Sequence, residues 1–115
     1  METVLEKIGD IRILHLRGRL DVRAAAEFES LVKGLIAAGE RTFVLDCQDL
    51  NHVSSAGLGA FISCGKLLED RGAFVFAGCT SHIKALFEIT GLSGRFRTCN
   101  TTQDALQALG CANAP

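Results

Sequence analysis

Two short apolar segments, residues 42–45 (Thr-Phe-Val-Leu) and 74–77 (Phe-Val-Phe-Ala), flank a helical stripe of Leu58, Phe61, Ile62 and Leu68 that ends before Gly72. A strand, a helix and a strand in that order pack back on one sheet as a crossover, so the two strands are predicted to run parallel. Ahead of this unit, residues 3–8 and 11–17 are aliphatic and β-branched runs separated by Gly9-Asp10, a connection suited to a tight antiparallel hairpin. Phe28, Leu31, Val32, Leu35 and Ile36 then recur at helical spacing, with Asp21 as a plausible cap and Gly39 as the stop. A third stripe of Ile83, Leu86 and Phe87 follows Ser81 and stops at Gly91, and a fourth with Leu106 and Leu109 follows Thr101 or Thr102. Residues 95–98 read as a short edge strand. The predicted architecture is α/β: a mixed sheet that opens with an antiparallel hairpin, continues in parallel strands and is covered by about four helices. Its core is expected to include Phe28, Leu31, Leu35, Val44, Leu58, Phe61, Ile62, Phe74, Phe76 and Leu86.

A chain of 115 residues with 48% hydrophobic content fits one core, and residues 1–115 are read as a single domain. No linker or low-complexity run interrupts it, and the one proline is Pro115. With 12 Lys+Arg against 13 Asp+Glu there is no electrostatic case for direct nucleic-acid binding. No apolar run approaches the roughly 20 residues of a membrane span, and the N-terminus lacks the order of a signal peptide, so a cytoplasmic location is expected. Cysteines at 47, 64, 79, 99 and 111 are odd in number and form no Cys-x-x-Cys pair, which suggests small apolar core filling rather than a disulfide framework or zinc site. His15, His52 and His82 sit in separate segments without metal-ligand spacing. No cofactor or metal is expected.

The segment most informative about function is residues 46–59, Asp-Cys-Gln-Asp-Leu-Asn-His-Val-Ser-Ser-Ala-Gly-Leu-Gly. It is read as a loop from the strand ending at Leu45 into a helix beginning near Ala56, which places Ser54 and Ser55 at a helix N-terminus. There the first backbone N–H groups lack intrahelical partners and the macrodipole is positive, which favours negative charge such as a phosphate on Ser55. The plainer role for either serine is that of an N-cap. Asp21, at the end of the second strand, is expected to lie near this loop, as a cap or in recognition. Gly57 and Gly59 cost a helix about 1 kcal/mol each against alanine, which points to close backbone approach by a partner or a neighbouring element.

The same residues resemble the signature of the STAS domain, the fold of bacterial anti-sigma factor antagonists. Leu45-Asp46 and Ser55-x-Gly57-Leu58-Gly59 match in place and spacing. Gly18-Arg19-Leu20-Asp21, Gly91-Leu92 with Phe96, and Thr102-x-x-Ala105-Leu106 match three further blocks in order. The resemblance implies a serine-phosphorylation switch. The unphosphorylated domain would bind a kinase-fold anti-sigma factor and free the sigma factor. That partner would then use ATP to phosphorylate the serine matching Ser55, and a serine phosphatase could reverse the step. It also implies a partner-binding surface of Asp21, Asn51, His52, Ser54, Ser55, Ala56, Gly57, Leu58 and Gly59. Two positions depart from the family pattern: Ser54 stands where an Asp is usual, which makes Ser54 an alternative acceptor, and Ala56 replaces a second Ser or Thr. The departures leave a second reading, a STAS-like scaffold or regulatory subunit of a signalling, lipid- or transport-linked complex that is not phosphorylated.

A hydrolase built on His52, Ser55 and Asp46 or Asp49 would need a base held by an orienting carboxylate, and the serine pair lacks the Gly-x-Ser-x-Gly elbow. Phosphate-binding and dinucleotide-binding glycine loops are also missing from the sequence. The chain is therefore expected to be a binding protein and not an enzyme.

Overall fold

A computed structural model describes residues 1–110 of the chain. The elements run β1 Glu2–Ile8, β2 Ile11–Leu20, α1 Val22–Ala37, β3 Thr42–Val53, α2 Ser55–Leu67, β4 Ala73–Ala77, α3 Ser81–Ile89, β5 Arg97–Cys99 and α4 Thr102–Ala108. Five strands form one sheet in sequential order, with β1 antiparallel to β2 and every later pair parallel. This is the mixed sheet anticipated from the pattern of runs, and the Gly9-Asp10 hairpin is as expected, with Gly9 at φ +59°.

Alternation along β2 and β3 sorts the side chains into two layers. Leu14, Leu16, Phe43, Leu45 and Cys47 face α1, α2 and α3, whereas Ile11, Ile13, Val44, Val75 and Ala77 face Ala105 and Leu106 of α4. The larger layer is centred on phenylalanines. Phe61 of α2 meets Phe28 of α1 edge-on at 5.5 Å and Phe76 of β4 at 4.9 Å between ring centroids, and Phe76 also meets Phe87 of α3 at 5.3 Å. Such edge-to-face pairs hold three helices to one strand through rings of fixed orientation. Of the expected core, Phe28, Val44, Phe61 and Phe76 are buried, while Leu31, Leu35, Leu58, Ile62, Phe74 and Leu86 are half-buried at its margin.

The structure corrects several boundaries. β2 continues past Arg17 to Leu20, and β3 continues past Leu45 to Val53, so residues 46–53 are strand where a loop was expected. Their apolar alternation is broken because β3 carries two register shifts against β2, with His15 opposite Asp46, Arg17 opposite Asp49 and Arg19 opposite His52. A bulge turns consecutive side chains away from strict alternation while the ladder continues. The cap of α3 is Thr80 rather than Ser81, since Thr80 Oγ1 accepts from the Ile83 N–H. Thr101 caps α4, and the edge strand spans Arg97–Cys99 rather than 95–98.

His15 joins three strands on the face that α4 leaves partly open. Its Nδ1 lies 2.6 Å from Asp46 Oδ2 on β3 and its Nε2 2.9 Å from Glu6 Oε1 on β1. Burial disfavours the charged ring, but hydrogen bonds to Glu6 and Asp46 and the two carboxylate charges outweigh it, so the His15 pKa is raised above the ordinary value. Arg17 stands beside this group, 3.7 Å from Glu2 and 3.6 Å from Asp49, in exposed pairs that contribute little. Because the folded pKa exceeds the unfolded one, the stability His15 supplies is fully present below about pH 6.5 and is lost as pH rises through the raised folded value. Urea unfolding of wild type and His15→Gln should therefore differ more at about pH 6 than at about pH 9; a difference that does not vary with pH contradicts a charged bridge.

Candidate functional site

β2 and β3 end side by side, and each gives way at once to a helix. Leu20 pairs with Val53 at the last rung. Asp21 and Ser54 follow as the caps of α1 and α2, so both helices begin at the carboxyl edge of the sheet. The Asp21 carboxylate accepts from the Ala24 N–H at 2.9 Å.

Ser54 is committed to the fold on three counts. Its backbone N–H donates to the Leu20 carbonyl at 2.9 Å, its hydroxyl donates to the same carbonyl at 2.8 Å, and its Oγ accepts from the Gly57 N–H at 3.1 Å. One residue thus terminates the β2–β3 ladder and caps α2. Ser55 is the first residue of α2 and is exposed, as are Ala56 and Gly59. Asn51 is exposed on β3, His52 is half-buried opposite Arg19, and Leu58 is half-buried one turn into α2.

Gly57 is buried, and the element that approaches it closely is the sheet. A Cβ at this position would fall 2.8 Å from Leu20 Cδ2 and 2.9 Å from Val53 Cγ1, inside van der Waals contact. Gly59 has open space around it. The two glycines, indistinguishable by helix propensity, therefore act differently: Gly57 lets α2 sit against the ends of β2 and β3, and Gly59 leaves the outer surface of its first turns flat.

The residues that a hydrolase would need are otherwise employed. Asp46 is bound to His15 and its other oxygen accepts from the Gln48 N–H at 3.1 Å, while Asp49 pairs with Arg17, so neither carboxylate orients His52. Among the described residues no group of three or more His, Cys, Asp or Glu side chains could hold a metal ion, and no helix is long and apolar enough to cross a membrane.

The sequence profile of the STAS domain matches residues 2–105. This chain belongs to the STAS domain family. Among its relatives, BtrV of Bordetella bronchiseptica, named provisionally as an anti-sigma factor antagonist, is 30% identical over 113 residues, covering 97% of each chain. The anti-sigma-B factor antagonist of Staphylococcus aureus is 29% identical over 92 residues, 78% of this chain and 82% of its own. The fold is shared with the anti-sigma factor antagonist SpoIIAA in its unphosphorylated form, with a TM-score of 0.77 at 18% identity over 94% of this chain and 97% of that one. The phosphorylated form of the Bacillus protein matches equally well, with a TM-score of 0.76 at 20% identity over 94% and 99%.

The STAS edge also contains a residue that the sequence pattern did not single out. Val22, the first residue of α1, is 71% exposed. It stands out only once α1 and α2 are known to start together, since a lone apolar residue at a helix start carries no signal of its own. With Ala56 and Gly59 it gives the surface around Ser55 an apolar character.

Substitutions should separate these roles. Ser54→Ala is expected to lower unfolding free energy by about 1–2 kcal/mol through loss of the cap and the Leu20 link, and Ser55→Ala to change it by no more than about 0.5 kcal/mol. Gly57→Ala should cost about 1–3 kcal/mol by overpacking against Leu20 and Val53, whereas Gly59→Ala should be neutral or stabilising by up to about 1 kcal/mol. Urea denaturation reads all four; equal effects at the two serines, or a stabilised Gly57→Ala protein, would contradict the assignment.

Proposed function

We propose that this STAS domain is an anti-sigma factor antagonist whose binding to a kinase-fold anti-sigma factor ends when that partner phosphorylates Ser55. The observation that carries this reading is the division of labour between the two serines. Ser54 Oγ already holds a donor and an acceptor within the fold, so modifying it would break the cap of α2 and its tie to β2. Ser55 offers an exposed hydroxyl at the positive end of a 13-residue helix, where the unpaired amide groups help to hold a phosphate. The names of the relatives support the antagonist role, and the phosphorylated form of the SpoIIAA structure supports a switch of this kind on this fold.

Binding and release follow from local forces. Unmodified, the edge offers a largely uncharged surface of Val22, Ala56 and Gly59, with Asp21, Asn51 and His52 at its border. A phosphate adds about 1.5–2 negative charges at its centre, on the same edge as the Asp21 carboxylate. The helix dipole compensates the new charge within the domain, but a partner would have to desolvate it to dock. Association is therefore lost while the fold is kept. A coupling of about 3 kcal/mol is enough to weaken binding about 150-fold.

With a cognate kinase and ATP, peptide mapping is expected to find one phosphate, on Ser55, in wild type and in Ser54→Ala alike. Ser55→Asp should bind the anti-sigma partner about 100-fold more weakly, and Ser55→Ala should bind normally but remain unmodified. Phosphate on Ser54 would transfer the role to that residue, and unmodified protein with unimpaired Ser55→Asp binding would favour a scaffold without a switch.

A further inference from the structure

The sheet has two edges of unequal length. β5 at one side is 3 residues long, whereas β1 at the other presents 7, and among the described residues no strand lies on its outer side. An edge strand leaves its outward N–H and C=O groups without a ladder, and folded chains commonly blunt it with a bulge, a proline or free charges. β1 has neither bulge nor proline, since its register against β2 runs unbroken from Glu2–Arg17 to Ile8–Ile11.

The three charges on β1 are tied back within the chain. Lys7 Nζ lies 3.0 Å from Glu40, Glu6 Oε1 2.9 Å from His15 Nε2, and Glu2 Oε1 3.7 Å from Arg17. Its apolar side chains are the ones left open. Val4 is 48% and Leu5 42% exposed, and with Met1 just ahead they make three of the five large apolar residues exposed among the described residues. The other two, Val22 and Ile89, lie on separate helices.

We propose that β1 is the surface through which two copies of this chain associate, edge to edge and antiparallel, into one continuous sheet. Side chains directly opposite share a face, and a twofold pair keeps each face continuous, so the axis passes through a residue rather than between two. Leu5 is the middle of Glu2–Ile8, and an axis there pairs every residue of the strand. It sets Leu5 against Leu5 of the second copy, Val4 against Glu6, Thr3 against Lys7 and Glu2 against Ile8, with no like charges directly opposed. Moving the axis to Val4 sets Glu2 against Glu6, and moving it to Glu6 sets two Glu6 carboxylates together, both destabilising. Leu5 also lies opposite Leu14, a member of the larger core layer, so the Leu5 pair extends that layer across the axis. The two sheets run in opposite directions, which sends their Ser55 edges to opposite ends of the pair and leaves both open. The association requires no phosphate on Ser55.

Sedimentation equilibrium of the full-length chain from about 1 μM to about 1 mM is expected to show a monomer–dimer equilibrium, weak because one strand pair is a small interface. Leu5→Lys, which sets two ammonium groups together at the axis, should leave only monomer over that range. Ile89→Lys, at an exposed apolar residue of α3, should associate as wild type does. Circular dichroism checks that each variant is folded. Leu5→Cys under mild oxidation gives a second reading: a covalent dimer whose linked peptides join position 5 of one copy to position 5 of the other by mass spectrometry. A wild type that stays monomeric throughout, a Leu5→Lys protein that associates like wild type, or a Leu5→Cys protein linked only through its native cysteines would overturn the proposal.

Discussion

The Leu20 carbonyl receives two hydrogen bonds from one residue, the backbone N–H and the hydroxyl of Ser54. The geometry of the proposed binding edge depends on that junction. It closes the parallel ladder between β2 and β3, fixes where α2 begins and places that beginning beside the start of α1. Gly57 completes it, because any larger residue would push the helix off Leu20 and Val53. A serine that makes three bonds within the fold and a glycine pressed against the sheet are constraints of packing. Together they leave the next hydroxyl, that of Ser55, exposed at the helix mouth.

A helix start serves a phospho-switch for two opposed reasons. Its unpaired N–H groups and dipole lower the cost of carrying a phosphate, so modification need not unfold anything. In the proposed switch, a phosphate on Ser55 would stand among Val22, Ala56 and Gly59, which are apolar or lack side chains and suit close contact with a protein. On this proposal the charge would be tolerated by the domain that carries it and opposed by a partner that must bury it. Such an arrangement ties affinity to charge state with no large conformational change.

Much of the fold was legible from periodicity, since the Phe28–Ile36 stripe, the 42–45 and 74–77 strands and the Gly9-Asp10 hairpin each obey one pattern from end to end. What escaped is physically specific. The second half of β3 was read as loop because two bulges break the alternation through which a strand announces itself. Thr80 was passed over for Ser81 because either residue suits a cap, and only the bond to the Ile83 N–H decides between them. The serine motif was visible in sequence, but that Ser54 rather than Ser55 caps the helix rests on its bond from the Gly57 N–H, and its tie to the Leu20 carbonyl is a contact 34 residues away in the chain.

The central claim is that charge at Ser55 ends association without disturbing the domain. The most direct measurement takes protein phosphorylated by its cognate kinase, follows urea unfolding and titrates it into the anti-sigma partner, beside the unmodified protein. The expected result is an unfolding free energy within about 1 kcal/mol of the unmodified value and an affinity lowered by about 100-fold or more. Retained affinity, or an affinity lost only in proportion to unfolding of the domain, would contradict it.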